Sequence, residues 1–297
     1  MKKDLTELVF ILDRSGSMGG LEADTIGGFN SLIAKQKKEE GEAYVSVVLF
    51  DDRTEILYDR TDLKKVEPMT DKEYYVRGCT ALLDAVGGAI HHIKKLHKET
   101  PEAEVPEKTL FIITTDGMEN ASRQYTYEKV KKMVEKAKEK RNWEFMFLGA
   151  NIDAVKVAGN FGINANRAVR YECDSVGTEL NYNVIGNLVS RARKASCARE
   201  MTACFDENDM LREISEDYAE LEECGRMSDD VPSLSKEELE NLKAVMPGVS
   251  ARDRRVCELV FGLAGNTACS YADAASSLGI PEARVKQSVG KVMKKIS

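Results

Sequence analysis

The stretch Leu8-Val9-Phe10-Ile11-Leu12-Asp13-Arg14-Ser15-Gly16-Ser17-Met18 decides the fold. An apolar run without alternation predicts a strand buried on both faces, as in a parallel sheet covered by helices. It stops at Asp13, followed by hydroxyls at Ser15 and Ser17 around Gly16, then Gly19-Gly20 and a helix-period pattern. In an open α/β sheet, ligands bind just beyond the carboxyl ends of such strands. A carboxylate and two hydroxyls on one tight turn are hard oxygen donors, suited to magnesium or calcium rather than zinc.

Strand and helix patterns alternate outward from this turn. Ile26, Phe29, Leu32 and Ile33 recur at helical spacing, Tyr44–Phe50 predicts a second strand, and Asp51-Asp52-Arg53 a hairpin turn into a returning strand, Thr54–Tyr58. That hairpin accounts for Asp51 and Asp52 without a ligand role. Leu82, Leu83, Val86, Ile90 and Ile93 mark the next helix, with His91, His92 and His97 on or near it. Their separations lack the i, i+4 pairing of a helical zinc site, so they read as solvated or partly packed. Strands at Leu110–Thr115, Trp143–Gly149 and Arg167–Tyr171 alternate with helices around Val130, at 152–161 and around Val184. The expectation is a doubly wound, mostly parallel six-stranded α/β sheet with one antiparallel edge strand.

The Asp13-x-Ser15-x-Ser17 turn resembles the metal-ion-dependent adhesion site of von Willebrand factor A domains. Gly78-Cys79-Thr80-Ala81-Leu82-Leu83-Asp84-Ala85 is similar to that family's Gly-x-Thr-x-Leu-x-Asp-Ala segment, and Thr115-Asp116-Gly117 to the turn after its fourth strand. The resemblance covers about residues 5–195. It implies a site made by Asp13, Ser15, Ser17, Thr80 and Asp116, holding Mg2+, with Mn2+ or Ca2+ as alternatives. It further implies a protein partner that supplies an aspartate or glutamate carboxylate at the open coordination position.

Length and charge set the outer limits. The 297 residues predict two domains of unequal size. A net charge of −7 argues against a chain coated in basic surface for nucleic acid. Acids at Asp4 and Glu7 interrupt what a signal peptide would need as an apolar core, and Leu8–Leu12 is too short for a membrane span. The seven cysteines (Cys79, Cys173, Cys197, Cys204, Cys224, Cys257 and Cys269) form no Cys-x-x-Cys pair, which fits reduced thiols and a cytoplasmic chain without membrane partners.

From Phe205 to Asp230, within a connector expected at 196–232, composition turns acidic. Asp206, Glu213, Glu220, Asp229 and their neighbours stand against Arg212 and Arg226, with Leu211, Ile214, Tyr218 and Leu221 at helical spacing. This predicts a solvated connector helix docking on one domain, with a dimerising helix or an acidic mask over the tail as alternatives. Val231-Pro232-Ser233 breaks the chain before a separate all-α segment, 233–297. There Val256, Leu259 and Val260 line one helix, Ser270-Tyr271-Ala272-Asp273 opens a second, Gly279 stops it, and Pro281 opens a third that carries Val285, Val289 and Val292. The helix-turn-helix pattern resembles region 4 of bacterial sigma factors, which implies contact with DNA or RNA polymerase. Its candidate DNA-contacting side chains are Arg284, Lys286, Gln287 and Lys291. Glu282 stands where that family usually has arginine, and the same helices suit a purely protein-binding use.

Three functions follow as expectations. The first is a metal-dependent protein-binding module that performs no catalysis. The second is a transcription-associated regulator acting through the tail. The third is a magnesium-dependent phosphatase with Asp13 as nucleophile. Such phosphatases carry a second aspartate two residues on, where this chain has Ser15, and no Gly-x-x-x-x-Gly-Lys phosphate loop is present.

Overall fold

The computed structural model describes residues 1–150, 152–171, 175–206, 224, 228–249, 251–278, 280 and 282–296. The chain divides into two units, Met1–Ile214 and Ser215–Ser297. In the first, six strands form one sheet: β1 (Lys2–Asp13), β2 (Glu42–Phe50), β3 (Thr54–Asp62), β4 (Pro106–Thr115), β5 (Glu144–Ala150) and β6 (Ala168–Tyr171). Their order is β3-β2-β1-β4-β5-β6, parallel throughout except for β3, which pairs antiparallel with β2. The fold class is the doubly wound, mostly parallel α/β sheet that the sequence predicts.

The apolar run of β1 is central because both its faces are covered. Phe10, in register with Val47 and Ile112, turns its ring edge-on to Phe29 of α1 (Glu22–Gln36), with centroids 5.4 Å apart. Val9 and Ile11 enter the opposite layer with α2 (Leu82–Glu99), α3 (Tyr127–Arg141) and α4 (Ala154–Asn160). Period-two alternation thus feeds two cores from one continuous apolar stretch. Helix α5 (Ser175–Lys194) packs beside α1, where Arg193 donates to the Gln36 carbonyl at 2.6 Å.

One placement differs from the sequence reading, that of His97. Helix α6 (Ala198–Asp206) lies at the start of the expected connector, with Met201 and Phe205 buried and Arg167 donating to the Phe205 carbonyl at 2.8 Å. Its apolar face docks it onto the first unit before the acids accumulate. His97 is buried rather than solvated: its Nε2 lies 3.1 Å from Glu7 Oε2, which also pairs with Arg60 at 3.0 Å. The acids from Glu207 to Glu223, with Leu211, Ile214, Tyr218 and Leu221, and also Cys173, Gly279 and Pro281, lie outside the described residues. The other cysteines are free thiols.

The second unit contains α7 (Lys236–Val245), α8 (Ala251–Val260), α9 (Tyr271–Leu278) and α10 (Glu282–Met293). Ser235 caps α7 reciprocally with Glu238, and Ser270 accepts from the Asp273 amide at the start of α9. Val256, Val260, Ala274, Val285 and Val289 form its core, as their spacing predicts. Among the described residues no helix is long and apolar enough to cross a membrane.

Candidate metal centre

The site is assembled by the loops that follow β1 and β4 and by the segment between β3 and α2 that carries Thr80. Asp13 ends β1, and its carboxylate is held on both oxygens: Oδ1 accepts from the Ser15 amide at 2.7 Å, and Oδ2 from Thr115 Oγ1 at 2.5 Å. Its carbonyl accepts from the buried Tyr74 hydroxyl at 2.5 Å. Ser15 Oγ and Ser17 Oγ lie 3.1 Å apart, and Ser17 donates to Asp116 Oδ1 at 2.6 Å. Ser17 is exposed, while Asp13, Ser15, Thr80 and Asp116 are buried. The cluster is therefore a buried oxygen set with one exposed lip.

Thr80 reaches the cluster past Gly117. A Cβ at Gly117 would stand 2.9 Å from Thr80 Oγ1 and 3.2 Å from Ser17 Oγ. Glycine keeps open the space on which these two hydroxyls and the adjoining Asp116 converge. All five residues read from the sequence as ligands thus meet in one place.

The loop carrying Thr80 is fixed by residues that the sequence reading left out. Arg14 turns away from the cluster into the interior, donating from Nε to Asp51 Oδ2 at 2.8 Å and from Nη2 to Glu55 at 2.7 Å. Asp51 Oδ2 also accepts from Arg77 Nε at 2.8 Å, and the Asp51 carbonyl accepts from the Ala81 amide at 2.8 Å. Burial pushes the Asp51 carboxyl up, but bonds from Arg77, Arg14 and the Arg53 amide outweigh it and hold it below the usual value. Gly78 passes through with φ +67° and accepts from the Gly16 amide at 3.2 Å, joining the two ligand loops. From the other side, Asn120 Oδ1 accepts from the Thr80 amide at 2.9 Å and its own amide donates to the Thr80 carbonyl at 3.0 Å. Asp84 collects the amides of Arg123, Gln124 and Tyr125, each at 2.9 Å, folding the loop after Asp116 against α2. The Asp84 position in its motif was the one sequence signal for this clamp; Asp51 read as a plain hairpin acid.

The electrostatics suit a cation. Burial pushes the Asp13 carboxyl up to about 6 against the bonds from Thr115 and Ser15, and the Asp116 charge adds to the push. A divalent ion beside two desolvated carboxylates would relieve that strain. Among the described residues no three His, Cys, Asp or Glu side chains gather as a metal cluster. The candidate is instead two carboxylates with three hydroxyls, a set that fits hard ions of the magnesium, manganese and calcium type.

The tail does not present its expected contacts. Arg284, Lys286 and Gln287 are buried, and only Lys291 of the four is partly exposed. Lys286 Nζ lies 2.7 Å from Asp229 Oδ1 and 3.0 Å from Glu282 Oε1, and Arg284 bonds to Gln287. A side chain that reads bases must reach into a groove. Burial sets the first three apart from the exposed placement expected from their position on the third helix.

No protein-family model matches the chain, and no curated protein matches it. Solved structures do. Proximal thread matrix protein 1 from the mussel byssus, with its MIDAS motif occupied by zinc, is 15% identical over 62% of this chain and 46% of that one, with a TM-score of 0.43. The ArnB paralog VWA2 from Sulfolobus acidocaldarius is 18% identical over 65% of this chain and 45% of that one, at 0.37. Manganese-loaded TRAP from Plasmodium vivax is 19% identical over 60% of this chain and 72% of that one, at 0.42. The chain thus spans under half the length of the mussel and Sulfolobus proteins.

Proposed function

We propose that the chain is a metal-dependent protein-binding module of the von Willebrand factor A kind, in which Asp13, Ser15, Ser17, Thr80 and Asp116 hold one divalent cation, Mg2+ by preference. The observation that carries this reading is the convergence of Thr80 Oγ1 and Ser17 Oγ on the space kept by Gly117, beside Asp116. Bound there, the ion would offer an open coordination position to a partner's aspartate or glutamate. The chain's own residues do the rest. Thr115 and the Ser15 amide orient Asp13, Asn120 and Asp51 hold the Thr80 loop, and exposed Ser17 marks the side from which a partner carboxylate enters.

A binding role without a covalent step suits Asp13 better than nucleophilic attack. Its oxygens are oriented by the Ser15 amide and Thr115 at 2.7 and 2.5 Å. Ser15 stands where an aspartate-based phosphatase would need its second carboxylate.

Manganese provides the test. Loaded with Mn2+, the protein should speed the relaxation of water protons, and acetate, as a model carboxylate, should reduce that effect by displacing coordinated water. Ser15→Ala with Ser17→Ala should abolish Mn2+ uptake and leave the far-UV circular dichroism unchanged. Mn2+ uptake unaltered by the double substitution would overturn the assignment.

A further inference from the structure

At the other end of the sheet, where β1 and β4 begin, α2 and α3 flank a cavity of about 610 Å³. Pockets for small organic ligands usually measure roughly 300–1,000 Å³. Ile90, Met133 and Trp143 give this one an apolar wall. Around it stand Lys94, Lys136, Lys140 and Arg141, and no aspartate or glutamate is among the lining residues.

The charge is arranged by helix geometry. Met133, Lys136, Ala137 and Lys140 fall at i, i+3, i+4 and i+7, one face of α3. Glu135 and Glu139 do not share that face. Arg141 sits 5.7 Å from the centre of the Trp143 ring, at the join between helix and strand. His97 meets the same indole edge-on at 5.3 Å. The carboxylate behind His97, Glu7, is already paired with Arg60 at 3.0 Å, so it does not neutralise the cavity. Among the described residues none of the four cations pairs with a carboxylate. Like charges around one partly apolar space repel one another, and a bound anion relieves the repulsion.

We propose that this cavity binds a small organic polyanion, with an aromatic or apolar body against Trp143, Ile90 and Met133 and clustered negative charge at Lys94, Lys136, Lys140 and Arg141; a nucleoside polyphosphate has that chemistry. The site is separate from the metal loops and does not need a metal.

Trp143 is the chain's one tryptophan and lines this cavity, so its emission serves as the probe. The experiment titrates the full chain in EDTA with ATP, inorganic triphosphate and adenosine, exciting at the red edge of the indole band. ATP should give a saturable change, adenosine and triphosphate each binding about tenfold or more weakly, and added salt should weaken ATP binding. Lys136→Ala with Lys140→Ala, both exposed, should lower ATP affinity about tenfold or more with circular dichroism unchanged. No saturable change with ATP would overturn the proposal. So would equal binding of adenosine or triphosphate alone, affinity indifferent to salt, or a folded double variant that binds ATP as before.

Discussion

Arg14 Nε lies 2.8 Å from Asp51 Oδ2, with both side chains sealed from solvent. The same oxygen accepts from Arg77, whose amide donates to the Arg14 carbonyl at 2.9 Å, closing a ring between the loops that carry Ser15 and Thr80. Removing one partner from a buried ion pair leaves the other charge uncompensated, at a cost of about 3–5 kcal/mol. Asp51→Ala is therefore expected to lower the unfolding free energy read from urea titration, by less than that figure because Glu55 still pairs with Arg14, and to weaken metal uptake, although Asp51 is not a ligand. An unchanged midpoint would show that the ring is not what holds the loops.

Asp13 links function to stability in the opposite direction. Its folded carboxyl titrates at about 6, above its ordinary 3.8, so the metal-free fold binds the proton more tightly than the unfolded chain does. This group therefore favours folding below about pH 4, loses that benefit as pH rises, and opposes folding fully above pH 6. Asp13→Asn should stabilise the metal-free protein at neutral pH by on the order of 3 kcal/mol. The gain should fade on acidification towards pH 4, and metal should no longer raise the melting temperature. Chemical denaturation across that range checks the sign; destabilisation at pH 7 would contradict it.

Gly117 offers a steric test that leaves every ligand in place. An alanine methyl there would press on Thr80 Oγ1 and Ser17 Oγ, filling the space assigned to the ion. Gly117→Ala should abolish metal binding by calorimetry while costing about 1–3 kcal/mol of stability, as for modest overpacking. Retained affinity would place the ion elsewhere.

Local patterns in the sequence carried the ligands, and long-range pairings escaped it. The Leu8–Leu12 run and the Ser15 and Ser17 turn each sit within a few residues, where period and turn chemistry speak directly, whereas Thr80 and Asp116, far along the chain, were supplied by the family resemblance. Nothing local signals the burial of Arg14, because its partners Asp51 and Glu55 come from a separate hairpin. Nothing near Glu7 in the sequence signals its burial against His97, ninety positions away. On α10 the valines were placed correctly by their spacing. Arg284, Lys286 and Gln287 were assigned to the outside by their chemistry, and they are buried.

The central claim is one divalent cation held by oxygens from three loops. Calorimetric titration of the metal-free protein with Mg2+ and Mn2+ tests it most directly, comparing the wild type with Thr80→Val, which removes a single hydroxyl from the most distant loop. The account predicts one ion per chain at this site for the wild type and at least about tenfold weaker binding for the variant. Equal affinity in the two proteins, or no binding in the wild type, would contradict it.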